Sequence, residues 1–359
     1  METLLHIPIT KTSHSRLNEV NWKQAEFGKY VSDHMFACTY KNGEWQDPEI
    51  VPFQNISLSP TTLALHYGQS VFEGMKAFRM EDGSVNIFRI EKHHARINRS
   101  LDRMCMPSIP FDLFVSALEQ LVSLDAAWVP EGEDTALYLR PFVFASEARF
   151  GVKVSEEYQF IIVTGPVPSL YQKPIKVKVE RKYIRAAKGG TGYAKCSGNY
   201  GGAFYPTVKA REEGYDQVLW TDAFEHEYIE ESGTMNLMFV IDGKLVTPPL
   251  SDSILDGVTR DSLLQLAGDL GIEAEERPVG VKEIIAAFKA NKITEAFGAG
   301  TAAVVAPIAK IGIDGEIFEL PPYHDNSIMN RLKKELEMIR TGRKEDANGW
   351  NHPLEVGSL

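Results

Sequence analysis

In the segment 188–202, KGGTGYAKCSGNYGG, six glycines flank Lys195. Glycine tolerates positive φ and lets a backbone approach a ligand closely. A lysine amine held in such a tight, desolvated frame loses its proton more readily and can act as nucleophile or base. A phosphate loop of the Walker type would need glycine directly before the lysine and serine or threonine after it. Ala194 and Cys196 stand there instead. The remaining alternative is a flexible surface loop. Lys76, framed by Phe72, Met75 and Phe78, competes with Lys195 as a reactive amine. Glu230 and Glu231 run straight into the apolar stretch 237–240, so either carboxylate could be partly buried against a cation. Two further segments could form anion nests from consecutive backbone amides. These are Phe297-Gly298-Ala299-Gly300-Thr301-Ala302-Ala303 and Leu255-Asp256-Gly257-Val258-Thr259-Arg260, the second opening a helix. Arg89 stands between Phe88 and Ile90, and Arg140 follows the apolar run 137–139. Either arginine could be an internal ion-pair partner or a carboxylate receptor.

Hairpin, strand and helix signals supply the elements that must position these groups. Asn42-Gly43 and Asp82-Gly83 mark tight turns between strand patterns, and Asp242-Gly243 marks a third. Apolar runs at 136–144 and 158–164 read as buried strands, and 217–221, 237–241 and 244–247 also read as strands. Helical spacing recurs at 90–104, 113–124, 203–213, 260–270, 281–290 and 327–339. Three prolines within 165–174 make that segment the expected linker. This divides the chain into an N-terminal domain (1–165), a linker (166–174) and a C-terminal domain (175–359), an α+β protein.

Composition excludes several functions. Acidic residues outnumber basic ones, 49 to 38, and the net charge of −11 repels a nucleic-acid backbone. Three scattered cysteines, Cys38, Cys105 and Cys196, suit a reducing compartment, and no spacing of cysteine and histidine suits a metal. Neither a secretory leader nor a membrane-spanning stretch is evident, so the cytoplasm is the expected location.

In order along the chain, FEGMKAF (72–78), YLRP (138–141), the segment 189–200, ESGTMN (231–236), TPPL (247–250) and GAGTA (298–302) resemble the branched-chain amino-acid aminotransferases. That resemblance spans nearly the whole chain. It implies a two-domain fold-type IV enzyme with a smaller N-terminal α/β domain, a larger C-terminal domain with a β-barrel-like core, and pyridoxal 5′-phosphate at the domain interface. Lys195 is then the lysine that carries the cofactor covalently and moves the proton between substrate Cα and cofactor C4′. Glu231, in preference to Glu230, faces the pyridine nitrogen, and Tyr200 faces the phenolate oxygen. Arg89, the amides of Val258 and Thr259, and Thr301 hold the phosphate. The Thr301 and Ala302 amides and the Tyr67 hydroxyl take the substrate α-carboxylate. Phe27, Phe72, Tyr138, Val152, Tyr171 and Thr234 form an apolar side-chain pocket, shared with a second subunit of a homodimer. Arg140, with Tyr67, receives the distal carboxylate of glutamate. The implied reaction is reversible, ping-pong amino transfer from L-leucine, L-isoleucine or L-valine to 2-oxoglutarate, giving branched-chain 2-oxo acids and L-glutamate. A D-amino-acid transaminase and an aminodeoxychorismate lyase are the alternatives of the same fold type. The redox CxxC found after the Gly-Thr-Ala turn in some vertebrate members is replaced here by Ala303 and Ala306.

Overall fold

The computed structural model describes residues 5–22, 26–167, 173–301 and 304–356. Tyr171, Ala302 and residues 168–172 of the expected linker lie outside them. The chain gathers into two compact units. Unit one comprises Met1–Leu170, Ala194–Gly198 and Met338–Leu359, and unit two comprises Tyr171–Tyr193 and Asn199–Glu337. This grouping differs from a single cut at the proline-rich segment. Residues 194–198 and the segment from Met338 group with the N-terminal part: Cys196 bridges Val71, and residues 351–354 pair with residues 85–88.

In unit one, β1 (His34–Lys41) and β2 (Glu44–Pro52) are joined by Asn42-Gly43 at φ 55° and 89°. Those are the two left-handed residues that a type I′ turn needs. The short helix α1 (Leu63–Tyr67) leads to β3 (Ser70–Phe72), β4 (Met75–Arg79) and β5 (Val85–Phe88). Asp82-Gly83 does not repeat the tight turn. Only Gly83 is left-handed, and Asp82 Oδ1 accepts from the Ser84 N–H (2.9 Å), folding residues 80–84 into a longer loop. Helices α2 (Ile90–Arg103) and α3 (Phe111–Leu124) precede β6 (Ala136–Ala145) and β7 (Tyr158–Val167). The sheet runs β2–β1–β7–β6–β4–β5, antiparallel throughout, with β3 added on β6. Helices α2 and α3 bury Ile97, Leu101, Phe114 and Leu118 in one core with Phe36, Ile87, Leu137 and Phe160 of the strands.

In unit two, β8 (Ile175–Val179), α4 (Gly198–Gly201), α5 (Phe204–Glu212), β9 (Gln217–Thr221), β10 (Tyr228–Ser232) and β11 (Met235–Ile241) follow in order. Then come β12 (Lys244–Thr247), α6 (Val258–Asp269), β13 (Ala274–Glu276), β14 (Val279–Gly280) and α7 (Val281–Lys289). The unit's last strands are β15 (Ile293–Gly300), β16 (Val304–Ile313) and β17 (Glu316–Glu319). The ladder β11–β15–β16–β8–β9–β10 returns to β11, because Glu231 pairs with Asn236 and Ser232 with Met235. Six strands therefore close into a barrel. Val177, Leu219, Ile229, Leu237, Phe239, Ala306 and Ile308 share its buried core. Every residue of β11 is buried, so the strand reads as a continuous apolar run instead of an alternating one.

Helix α8 (Ile328–Arg340) and β18 (Asn351–Leu354) end the described chain, and β18 adds antiparallel to β5 at the edge of the first sheet. Among the described residues no helix is long and apolar enough to cross a membrane, and no group of three or more ligating side chains could hold a metal.

Candidate active site

Lys195 is held by its backbone from two sides. Its N–H donates to Ser100 Oγ of α2 (2.9 Å), and its carbonyl accepts from the Phe72 N–H of β3 (3.0 Å). The neighbouring Cys196 bridges Val71, and the Ser197 N–H reaches the Ser70 carbonyl (3.1 Å). Residues 195–197 thus lie antiparallel beside β3 through an isolated bridge, and Cys196 is a buried packing residue of the core. The Lys195 ammonium lies 5.0 Å from the centre of the Phe72 ring. Lys76, in β4, is buried, whereas Lys195 is half-buried, so burial does not favour Lys195 over Lys76.

Beneath this strand lies a charged cluster that sequence reasoning missed. Glu73 is fully buried, with Arg96 bound to both of its oxygens (Nε to Oε2, 2.8 Å) and His93 Nδ1 at 3.4 Å. Burial pushes the Glu73 carboxyl up, but the Arg96 guanidinium and His93 beside it hold it well below the ordinary carboxylate range. Burial lowers His93, and the charges of Arg96 and Lys195 work in the same direction against Glu73. Ser100, which holds Lys195, donates to the Arg96 carbonyl (3.0 Å), so the cluster and the lysine share one turn of α2. Replacing Arg96 by methionine leaves Glu73 buried without its cation. The expected cost is about 3–5 kcal/mol, read as a lower denaturation midpoint. Adding Glu73→Gln should recover part of that loss.

Several of the expected pocket residues meet in unit one. Phe27 packs edge-on against Tyr138 (4.9 Å), and the Tyr138 hydroxyl contacts Arg140 Nη2 (2.9 Å). The Arg140 guanidinium lies over the Phe72 ring (4.7 Å), the ring that Lys195 overlies. Arg140 Nε is buried with no hydrogen-bond partner among the described residues. Arg140 has no carboxylate partner among the described residues, and its guanidinium lies against the Phe72 and Tyr138 rings. Tyr67 and Val152 are exposed at 44% and 77%, and none of the contacts building this cluster involves them. Arg89 lies at the junction of β5 and α2.

Unit two supplies the other groups. Glu231 sits at the closing pair of the barrel, 2% exposed, with Oε2 at 2.8 Å from Arg185 Nε. Its Oε1 accepts from the Leu255 N–H (2.8 Å) and from Asn236 Nδ2 (3.3 Å). Asn236 also donates to the Leu255 carbonyl (2.8 Å). Arg185 is tied in turn to the Ser253 carbonyl (2.6 Å). The carboxylate is thereby bonded to segment 253–257, which opens α6. The N-cap residue of α6 is Gly257, which has no side chain to cap the helix, and Val258 and Thr259 provide the first amides. A Cβ at Gly257 would fall on the Asn236 carboxamide oxygen, so only glycine fits that approach. Glu230, the neighbouring residue on the strand, takes another direction: its Oε1 binds Ser253 Oγ, and burial raises its carboxyl. Tyr200, Thr234, Arg185 and Leu255 line a cavity of about 260 Å³ with Phe204 and Trp220. Thr301 follows directly on the end of β15. Asn236 was visible within the ESGTMN block; Arg185, a lone arginine in YIRAA, carried no signal.

Residues 70–311, more than half of the chain, match the profile of the Amino-transferase class IV family, and the chain belongs to that class. Branched-chain-amino-acid transaminase 1 of Bacillus subtilis is 44% identical over 329 residues, covering 90% of this chain and 92% of that protein. The branched-chain-amino-acid aminotransferase of Mycobacterium tuberculosis is 41% identical over 337 residues, 91% of this chain and 92% of that one. The crystal structure of the Escherichia coli branched-chain enzyme superposes with a TM-score of 0.70 at 28% identity, covering 88% of this chain and 98% of that one. Within class IV, the chain belongs with the branched-chain-amino-acid aminotransferases.

Proposed function

We propose that this chain transfers the amino group of L-leucine, L-isoleucine or L-valine to 2-oxoglutarate with pyridoxal 5′-phosphate as cofactor. A related structure at 25% identity, with a TM-score of 0.70, was solved with pyridoxamine 5′-phosphate. The observation that carries the cofactor reading is the buried Glu231–Arg185 pair, bonded through Leu255 to the segment that opens α6. That framework fits a pyridine bearing a phosphate. The carboxylate serves the ring nitrogen, and the Val258 and Thr259 amides, with Arg89 and Thr301, serve the phosphate. The cofactor, when bound, supplies an electron sink for cleavage at the substrate Cα.

The chain's own residues then divide the work. Lys195 holds the cofactor covalently and, once displaced by the amino acid, carries the proton to and from Cα. Tyr200 directs its hydroxyl to the cofactor phenolate oxygen. Phe27, Phe72, Tyr138, Thr234 and Tyr171 line the side-chain pocket, where each buried CH₂ contributes about 0.8 kcal/mol. Arg140 accepts the distal carboxylate of glutamate through the guanidinium edge left without a partner, and Tyr67 assists it. The Thr301 and Ala302 amides receive the α-carboxylate. Unit one exposes Ile56, Leu58, Leu65, Phe150, Val152 and Val154, an apolar surface for which a second copy of the chain is the occupant we assign. Val152 would then complete the partner's pocket. The three cysteines are free, which supports placing the enzyme in the cytoplasm.

Purified protein given pyridoxal 5′-phosphate, each branched-chain L-amino acid and 2-oxoglutarate is expected to form glutamate, read by a coupled glutamate dehydrogenase assay. No glutamate from any of the three would end this reading. Activity with D-alanine alone, or pyruvate released from aminodeoxychorismate, would replace it with one of the same-fold alternatives. A single-chain mass by light scattering would remove the dimer.

A further inference from the structure

We infer that Trp350 is a positioning residue that holds the Arg89 side chain ready for a phosphate. The inference rests on the phosphate role proposed above for Arg89. Arg89 is left-handed at φ 57° and ψ 45°, a conformation that a non-glycine residue adopts only when its surroundings impose it. The imposing contact is with Trp350: the Arg89 N–H donates to its carbonyl (2.7 Å). The same residue's indole lies beneath the guanidinium, with Arg89 Cζ 4.8 Å from the ring centre. One residue thus sets both the backbone turn of Arg89 and the plane on which its charged end rests.

The indole is itself a rigid plate. Trp350 is 5% exposed and stands edge-on to Phe88, 5.8 Å between centres at 86°. The strand that follows it, β18, is stitched to β5 by side chains as well as by the ladder. Asn86 Nδ2 donates to Asn351 Oδ1 (2.7 Å), and Asn86 Oδ1 accepts from the His352 N–H (2.8 Å). Asn351 Nδ2 reaches the Ile339 carbonyl at the end of α8 (2.8 Å), and His352 Nε2 is 2.6 Å from Glu119 Oε1 on α3. An unsupported arginine side chain loses much rotamer freedom when it binds an anion; one already resting on a fixed aromatic face loses less. A tryptophan serving the core alone would affect every ligand of the protein equally. A tryptophan acting through Arg89 affects only ligands that carry the phosphate.

That difference is the test. Cofactor-free full-length protein is titrated with pyridoxal 5′-phosphate and with pyridoxal, which lacks the phosphate, by equilibrium dialysis. The proteins compared are wild type, Arg89→Ala, Trp350→Met, Trp350→Phe and the double variant Arg89→Ala/Trp350→Met. Trp350→Met is expected to weaken the phosphate ligand about tenfold and pyridoxal less than about twofold, the size of a partly desolvated cation–π contact. Trp350→Phe, which keeps a weaker π face, is expected to lose about threefold on the phosphate ligand alone. The double variant should bind no more weakly than Arg89→Ala. Equal loss for both ligands, or additive loss in the double variant, overturns the inference. If Trp350→Met does not fold by thermal melting, the Trp350→Phe comparison decides. Should Arg89→Ala leave the ratio of the two affinities unchanged, the phosphate role of Arg89 fails, and the inference falls with it. An intact Arg89 effect with no Trp350 effect overturns the inference alone.

Discussion

Lys195→Ala is expected to abolish transamination, by at least about 10⁴-fold, because one substitution removes both the covalent anchor and the proton carrier. The anchor is read without any turnover. Wild-type protein reduced with borohydride in the presence of pyridoxal 5′-phosphate should carry the label on the peptide containing residue 195, and the variant should carry none. The fold should survive, since the clamp on this segment uses the backbone: Ser100 Oγ, the Phe72 N–H and the Val71–Cys196 bridge do not depend on the side chain. Lys76 makes the experiment decisive. It is a buried lysine of the same unit, and a label retained in Lys195→Ala would have to be sought there.

Glu231→Gln is expected to lower the rate about 10²–10³-fold, the scale of removing one preorganised electrostatic contact, with the protein still folded. The amide keeps the volume and an acceptor for the Leu255 N–H but faces Arg185 with no charge to offer. Glu230→Gln is the control. That side chain meets Ser253 in another direction, and its replacement should leave the rate near wild type. The reverse result would place the cofactor carboxylate one residue earlier on the strand. Steady-state rates for the two variants, measured beside their melting curves, separate loss of chemistry from loss of fold.

The residues in these two predictions could be singled out as candidates in the sequence because glycine spacing and short blocks are local. So was the hairpin at Asn42-Gly43, where two consecutive residues determine the turn. Asp82-Gly83 carries the same letters but folds otherwise, since the Asp82 side chain competes for its own loop. Groups that depend on distant chain stayed hidden. Arg96 and Glu73 are 23 residues apart, Arg185 and Glu231 are 46 apart, and each becomes meaningful only when the pair is formed. Trp350 is 261 residues beyond Arg89 in the chain. Composition likewise carries no sign that Cys196 bridges back to β3 and that β18 adds to the first sheet. The barrel was implied by resemblance, and its closure by the β10–β11 pair could not be read from strand patterns alone.

That closure also sets an order of synthesis. The pair that holds Glu231 opposite Asn236 spans a two-residue connection and can form as soon as both strands exist. The parallel pairing of β8 with β16 joins Ile175 to Ile308, which are far apart in the chain and costly to bring together early. Until β15 and β16 have been made, β8 and the side of β11 that they will cover keep raw ladders of N–H and carbonyl groups, the kind of edge onto which other chains add. The carboxylate can thus have its strand partner while the unit around it is still adhesive, so a growing chain is most exposed to mispairing just before the last strands of the barrel arrive.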